Sequence, residues 1–163
     1  MYSFVFLSFF IYILYNLIII TKYEQTPSSL SETYYMLQKK GYWFQIMMAF
    51  IALSLMPVWI DTLDGSNLQF LAFLCPVFII FTGLAPRFKN EESIIHTTFS
   101  LISAMCALLL IIFIYQSTIL LCMNLLTLVL VLLIIGKLKK CWLYGVETSI
   151  FLTIYESILY FFI

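Results

Sequence analysis

Seven polar side chains near two connections between apolar segments are candidates for binding or chemistry. They carry hydroxyl, carboxylate, guanidinium, ammonium and imidazole groups: Ser29, Ser31, Glu32, Tyr34, Arg87, Lys89 and His96. A hydroxyl, an acid and an imidazole can together supply a nucleophile and general acid–base catalysis. Arginine and lysine suit an anionic lipid headgroup. These residues are therefore the candidate site of the chain.

His96 is the only histidine, and two interpretations of it stay open. In the first it is structural, bonded to a loop carbonyl or to a phosphate headgroup. In the second it carries a proton or acts as a general base, because an imidazole can change its charge near neutral pH. It lies close to the start of an apolar segment, where water still reaches.

A second polar set lies within the last apolar segment. Its members recur at helical spacing and form one stripe: Ser149, Thr153, Glu156 and Tyr160. Lipid cannot pair with such a stripe, so it should face neighbouring helices. Glu156 then makes an interhelical hydrogen bond, handles ions or protons, or contacts a lipid or partner. Glu147 is expected to extend towards Lys139 or Lys140.

The composition excludes several classes of protein. Of the 163 residues, 64% are hydrophobic and 10% are charged, and the formal net charge is zero. A soluble domain of this length cannot bury so much apolar surface. No excess of basic residues is present to neutralise phosphates, so no nucleic-acid partner is expected. The chain should be an integral membrane protein.

Six apolar stretches are long enough for a membrane-crossing helix of about 20 residues. They cover approximately residues 2–20, 43–60, 68–85, 94–115, 118–136 and 142–163. The predicted fold is an all-α integral membrane bundle of six helices, a single transmembrane domain over residues 1–163. Only Gln116 and Ser117 separate the fourth and fifth stretches. A turn is still required there, because one helix over both would be about twice as long as the bilayer is thick.

The basic residues predict the orientation. All eight lie in the first, third and fifth connections, which share one side of a six-span protein. By the positive-inside rule that side is cytoplasmic, and both termini lie outside. Residues 1–20 are expected to be a membrane span and not a cleaved signal peptide, since their apolar run has no basic residue before it and no small-residue cleavage site follows Ile20. The first and third connections then share a face, whereas Asp61 and Asp64 lie on the opposite side from His96.

Loop 1, between the first two spans, is expected to contain a short helix. Ser29 and Glu32 have the spacing of a capping box, in which each side chain satisfies a backbone amide of the first turn. Leu30, Tyr34 and Lys39 suit a helix in the headgroup layer, with its lysines towards the phosphates.

No metal site, disulfide framework or cofactor motif is expected. The four cysteines are Cys75, Cys106, Cys122 and Cys141, and no two have CxxC spacing.

Three short motifs carry a family resemblance: Pro27–Tyr35, Gly83–Lys89 and His96. Over roughly residues 25–110 the chain resembles a group of small uncharacterised membrane proteins of gut bacteria and their phages. It is more distantly similar to families of five or six spans with a Pro–His pair in a cytoplasmic loop. The resemblance implies a bacterial inner membrane and no particular activity.

The sequence favours a small, non-enzymatic membrane protein that binds a lipid headgroup or a membrane partner at its cytoplasmic face. Membrane lipids, a membrane-protein partner or a second copy are the expected partners. One alternative is a small transporter or proton-coupled permease that uses Glu156. Another is a lipid-modifying enzyme that uses Ser31, Glu32 and His96.

Overall fold

The structure, a computed structural model, describes residues 2–23, 27–86, 92–115, 122–123, 125–127, 129–130, 133 and 141–160. Within these ranges the regular structure is entirely helical. The elements are α1 (Tyr2–Tyr23), α2 (Glu32–Met36), a 3-10 turn (Gln38–Lys40), α3 (Tyr42–Thr62), α4 (Gln69–Leu84), α5 (Glu92–Tyr115) and α6 (Trp142–Tyr160). The prediction of an all-α fold is confirmed.

Three helical segments of the described chain are long and apolar enough to cross a membrane. They are Ser3–Tyr23, Gln38–Thr62 and Ile94–Ile112. The helix Gln69–Leu84 is apolar but has only 16 residues, about 24 Å at 1.5 Å per residue. Three of the six predicted spans are thus long and apolar enough to cross a membrane, by length and composition. The predicted fifth span, 118–136, lies mostly outside the described residues.

One face of α1 is buried in the bundle. Val5, Ser8, Tyr12, Asn16 and Ile19 recur every three or four residues and are all buried, which is the period of one helix face. The residues between them are mostly exposed. α1 therefore presents a mixed apolar and polar stripe to the bundle and an apolar surface outward.

α3 and α4 form a closely packed pair. Gly83 of α4 lies against Met48 of α3, and a Cβ added at Gly83 would stand 2.7 Å from the Met48 Cβ. The two helices are joined by residues 63–68, where Gly65 adopts a φ of 74°, a conformation that glycine adopts without strain. Such a short connection makes the two helices antiparallel.

α5 packs along α4 through aromatic and small residues. The ring of Phe99 lies 5.6 Å from that of Phe78 and 5.0 Å from that of Phe81. About one turn before Phe78 in α4, the Cys75 thiol donates to the Ser103 carbonyl of α5 at 3.5 Å. The Ser103–Ala107 pair, which has the small-residue spacing expected of a close helix contact, is buried.

α6 contacts α1 through long side chains. The Tyr155 hydroxyl donates to Ser8 Oγ at 3.0 Å, and the Tyr144 hydroxyl donates to Asn16 Oδ1. Between these bonds the ring of Tyr12 lies 5.2 Å from that of Phe151. These contacts bring the first and last described helices together and close the bundle.

Loop 1 contains the expected short helix, α2, at Glu32–Met36. It does not lie apart from the bundle, however, because Leu30 and Thr33 are buried. The Thr33 and Tyr15 hydroxyls are 2.6 Å apart and share a hydrogen bond. Loop 1 thus packs on the helices at the end of the bundle where α1 ends and α3 begins, which we call the loop-1 end.

Candidate functional site

The segment formed by residues 27–31 has its own hydrogen-bond network. Ser29 Oγ accepts from the Glu32 amide at 3.2 Å and lies 3.0 Å from Ser31 Oγ. The Glu32 carboxylate reaches back to the Ser28 amide. This arrangement resembles the predicted capping box, except that the amide that donates to Glu32 is that of Ser28 and not that of Ser29. It gives the 27–31 segment a defined backbone ahead of α2.

The 27–31 segment is fastened to the start of α6. The Tyr144 amide donates to the Ser28 carbonyl at 3.0 Å. The Leu30 amide donates to Glu147 Oε2 at 2.5 Å. The first amides of a helix have no partner within the helix, so the Ser28 carbonyl satisfies one of them. The segment thereby covers the loop-1 end of α5 and α6.

Beneath this segment, His96 of α5 faces Glu147 of α6. His96 Nε2 lies 3.6 Å from Glu147 Oε1, and each side chain is 16% exposed. A separation of 3.6 Å is an ion-pair distance but too long for a hydrogen bond. Among the described residues, neither ring nitrogen of His96 has a hydrogen-bond partner, and both atoms are buried.

The pair borders a small central cavity of about 50 Å³. The lining residues are Leu30, Ser31, Phe44, Met48, Ile79, Thr82, His96, Ser100, Ser103, Ala104, Glu147, Ile150, Phe151 and Ile154. The volume is enough for water, which needs at least about 10–15 Å³ and two to four polar partners.

Only part of the predicted candidate site comes together. Ser31 and His96 line the central cavity, whereas Glu32 is engaged with the Ser28 amide. Tyr34 packs against Gly41, where an added Cβ would stand 2.7 Å from the Tyr34 carbonyl oxygen. Arg87 and Lys89, the predicted headgroup ligands, lie outside the described residues.

A catalytic relay through Ser31, Glu32 and His96 does not match this geometry. Ser31 Oγ is paired with Ser29 Oγ, and in the described structure no hydrogen bond reaches either nitrogen of His96. The acid beside the imidazole is Glu147. A nucleophile activated by histidine requires direct hydrogen-bond contact of about 3 Å.

The polar stripe of α6 faces inward. Ser149 and Thr153 are buried, and Ser149 Oγ donates to the Val146 carbonyl of its own helix. Glu156 Oε1 accepts from the Thr127 hydroxyl at 2.5 Å, so this carboxyl joins α6 to the helical residues near 127. The side chain of Tyr160 lies outside the described part of the chain.

Glu147 contacts residues other than the predicted ones. Its expected partners, Lys139 and Lys140, are outside the described residues, and it instead contacts Leu30 and His96. A signal was available: His96 and Glu147 each lie near the start of a predicted span that begins on the same side. Equal depth in the membrane makes a contact between two such residues possible.

An apolar groove runs between α1 and α3 at the same end of the bundle. Its volume is about 530 Å³, within the size range of small-ligand sites. It is lined by Ile11, Leu14, Tyr15, Ile18, Ile19, Lys22, Leu37, Lys40, Trp43, Ile46, Met47 and Phe50. Lys22 and Lys40 lie at its loop-1 end, and both are exposed. The sequence indicates these lysines only as topology signals, because nothing in it shows that a groove opens beside them.

The described residues contain no group of three or more potential metal ligands. Cys75, Cys106, Cys122 and Cys141 are all free thiols. Comparisons with protein-family models, with curated proteins and with solved structures find no match to this chain. The resemblance to small membrane proteins of gut bacteria and phages therefore stays a prediction.

Proposed function

We propose that this chain is a multi-pass, non-enzymatic protein of a bacterial inner membrane that binds an anionic phospholipid. It crosses the membrane by the six predicted spans, with both termini outside and loops 1, 3 and 5 in the cytoplasm. The lipid occupies the α1–α3 groove, with one acyl chain along the apolar walls and the phosphate beside Lys22 and Lys40. The observation that carries this proposal is the pairing of an apolar groove with two cations at one end.

The walls of the groove match the acyl part of a lipid. From Ile11 to Lys22 the α1 wall is about 16 Å long at 1.5 Å per residue. Leu14 and Ile18 of this wall and Ile46 of α3 are among the exposed apolar residues. Lipid chains fill such a groove without a polar group to satisfy, because the backbone of both helices is bonded internally.

The loop-1 end of the groove matches an anionic headgroup. Lys22 and Lys40 belong to different elements yet line one groove, so a phosphate between them contacts both. Each lysine near an anionic surface contributes about 1 kcal/mol. Trp43, which is 50% exposed, has the amphipathic ring that favours the headgroup level.

The proposal is tested by the lipid that the protein retains. The protein is placed in nanodiscs containing a zwitterionic phosphatidylcholine and an anionic phosphatidylglycerol. The lipids that remain bound after mild extraction are identified and quantified by native mass spectrometry. The wild type should be enriched in phosphatidylglycerol. The double variant Lys22→Gln/Lys40→Gln should lose at least about tenfold of this preference, since two lysines at about 1 kcal/mol each are involved.

Lys39→Gln is the matched control, because Lys39 is adjacent to Lys40 but does not line the groove. It should leave the preference unchanged. Leu14→Trp should reduce all bound lipid by filling the groove. Equal retention of both lipids by the wild type would contradict the proposal, as would a protein that forms stable dimers with Leu14 at the interface.

A further inference from the structure

The central cavity under the 27–31 segment is lined by one acidic side chain and one imidazole. Glu147 contributes a carboxylate, and His96 contributes an imidazole 3.6 Å from it. Of the remaining lining residues, α3 and α4 contribute Phe44, Met48, Ile79 and Thr82, and the 27–31 segment contributes Leu30 and Ser31. These side chains and those that α5 and α6 add carry no charge, so Glu147 and His96 are the two groups among the described lining residues that can exchange a proton near neutral pH.

A carboxylate that is largely withdrawn from water is stabilised by a cation beside it. The cavity of about 50 Å³ accommodates water but no organic cation. Both nitrogens of His96 are buried, and among the described residues they have no hydrogen-bond partner. A neutral imidazole has one donor and one acceptor, and an imidazolium has two donors. Water in the cavity supplies these partners and connects the ring with Glu147.

We propose that His96 and Glu147 form a proton-binding site whose ligand is a single proton taken up from the cytoplasmic side. A hydronium ion gives its proton to the imidazole, which becomes imidazolium, and a water molecule remains. Glu147 stays a carboxylate and now faces a cation. The imidazolium and the carboxylate then form an ion pair, which favours binding of the proton.

The 27–31 segment is part of this site. Glu147 Oε2 accepts from the Leu30 amide, while Oε1 faces His96. One carboxylate thus holds the covering segment and the proton-binding ring at the same time. The site is independent of the α1–α3 groove, since Glu147 and His96 do not line that groove.

The single histidine makes a direct test possible. Protein labelled with 15N-histidine has one imidazole, whose two nitrogen resonances report its charge and tautomer. Spectra are recorded in nanodiscs between about pH 4 and pH 9, the range that brackets histidine titration. The wild type should give one titration. In Glu147→Gln the proton affinity of His96 should fall at least about tenfold, because the opposite charge beside it is removed.

Glu147→Gln keeps a carbonyl oxygen that accepts the Leu30 amide, so the covering segment stays in place. Glu156→Gln is the matched control: this acid lies nine residues further along α6, about 13 Å away at 1.5 Å per residue, and bonds to Thr127. It should leave the titration of His96 unchanged.

The proposal is overturned if His96 does not titrate in this range or if both variants titrate like the wild type. It is also overturned if replacing sodium by choline shifts the midpoint, because a metal ion would then be the ligand.

Discussion

Two pairs of polar side chains inside this bundle are bonded across helices. Tyr144 bonds to Asn16 and Tyr155 to Ser8, each connecting α6 with α1. A buried hydroxyl or amide without a partner is costly in apolar surroundings. Each pair therefore favours the packing of α6 against α1 over packing against another helix. Apolar contacts alone discriminate much less between neighbouring helices.

The Tyr144–Asn16 bond should be measurable in a double-mutant cycle. Tyr144→Phe removes the donor and leaves Asn16 Oδ1 buried, so we expect a loss of about 1–2 kcal/mol in the free energy of unfolding. The coupling with Asn16→Leu should be about 0.6–1.7 kcal/mol, as for other interhelical bonds in membranes. Unfolding in mixed micelles gives these values.

Tyr42→Phe is the control for that cycle, because Tyr42 is 44% exposed and should change stability by less than about 0.5 kcal/mol. Strictly additive effects of the Tyr144 and Asn16 substitutions would show that the bond contributes nothing.

Two glycines allow elements of this protein to approach each other. Gly83 brings α4 onto Met48 of α3, and Gly41 brings the start of α3 beneath Tyr34 of α2. In both places an added Cβ would come to 2.7 Å from an atom of the neighbouring element. The spacing of these elements thus depends on the absence of one methyl group.

Gly83→Ala should lower the thermal stability of the purified protein. In a free helix alanine is more stable than glycine by about 1 kcal/mol. Here the methyl group meets the Met48 Cβ, so α3 and α4 must separate, and we expect a net loss of about 1–3 kcal/mol. In a double-mutant cycle, Gly83→Ala should cost less in a Met48→Gly background, which lacks the Met48 Cβ, than in the wild type. Leu84→Ala, on the exposed side, should not cause a comparable loss. A higher melting temperature for Gly83→Ala would refute the close contact.

The molecule as a whole has an apolar outer surface and an end that carries the described lysines. Phe4, Phe10, Leu53, Phe70 and Leu101 are each more than half exposed on four different helices. Exposure of so many apolar side chains to water is unfavourable, whereas a lipid bilayer solvates them. Lys22, Lys39 and Lys40 lie together at the loop-1 end, opposite the connection between α3 and α4.

The proposed orientation predicts which connections a membrane-impermeant thiol reagent reaches. In a Cys122→Ser background, which lacks the exposed native thiol, a cysteine at Asp64→Cys should react in intact cells. A cysteine at Lys39→Cys should react only after the membrane is opened. Labelling of Lys39→Cys from outside would reverse the orientation, and labelling of both in intact cells would exclude the crossing by α3.

Much of the helical framework could be predicted from residues. The apolar stretches near residues 2–20, 43–60 and 94–115 match the three segments long enough to cross a membrane. Ser29 with Glu32 marks the turn before α2. The candidate site was predicted only in part. Ser31 and His96 do share a cavity, but the acid beside the imidazole is Glu147 rather than Glu32.

Composition and periodicity are enough to establish an all-helical chain with membrane-crossing segments, because the cost of an unpaired backbone in lipid leaves few other structures. They do not establish which helices are neighbours, since apolar helix surfaces are nearly interchangeable in energy. The contact of Glu147 with His96, the covering 27–31 segment and the α1–α3 groove depend on that choice of neighbours. Bonds such as Tyr144–Asn16 and close approaches such as Gly83–Met48 decide it, and they exist only once the helices have packed.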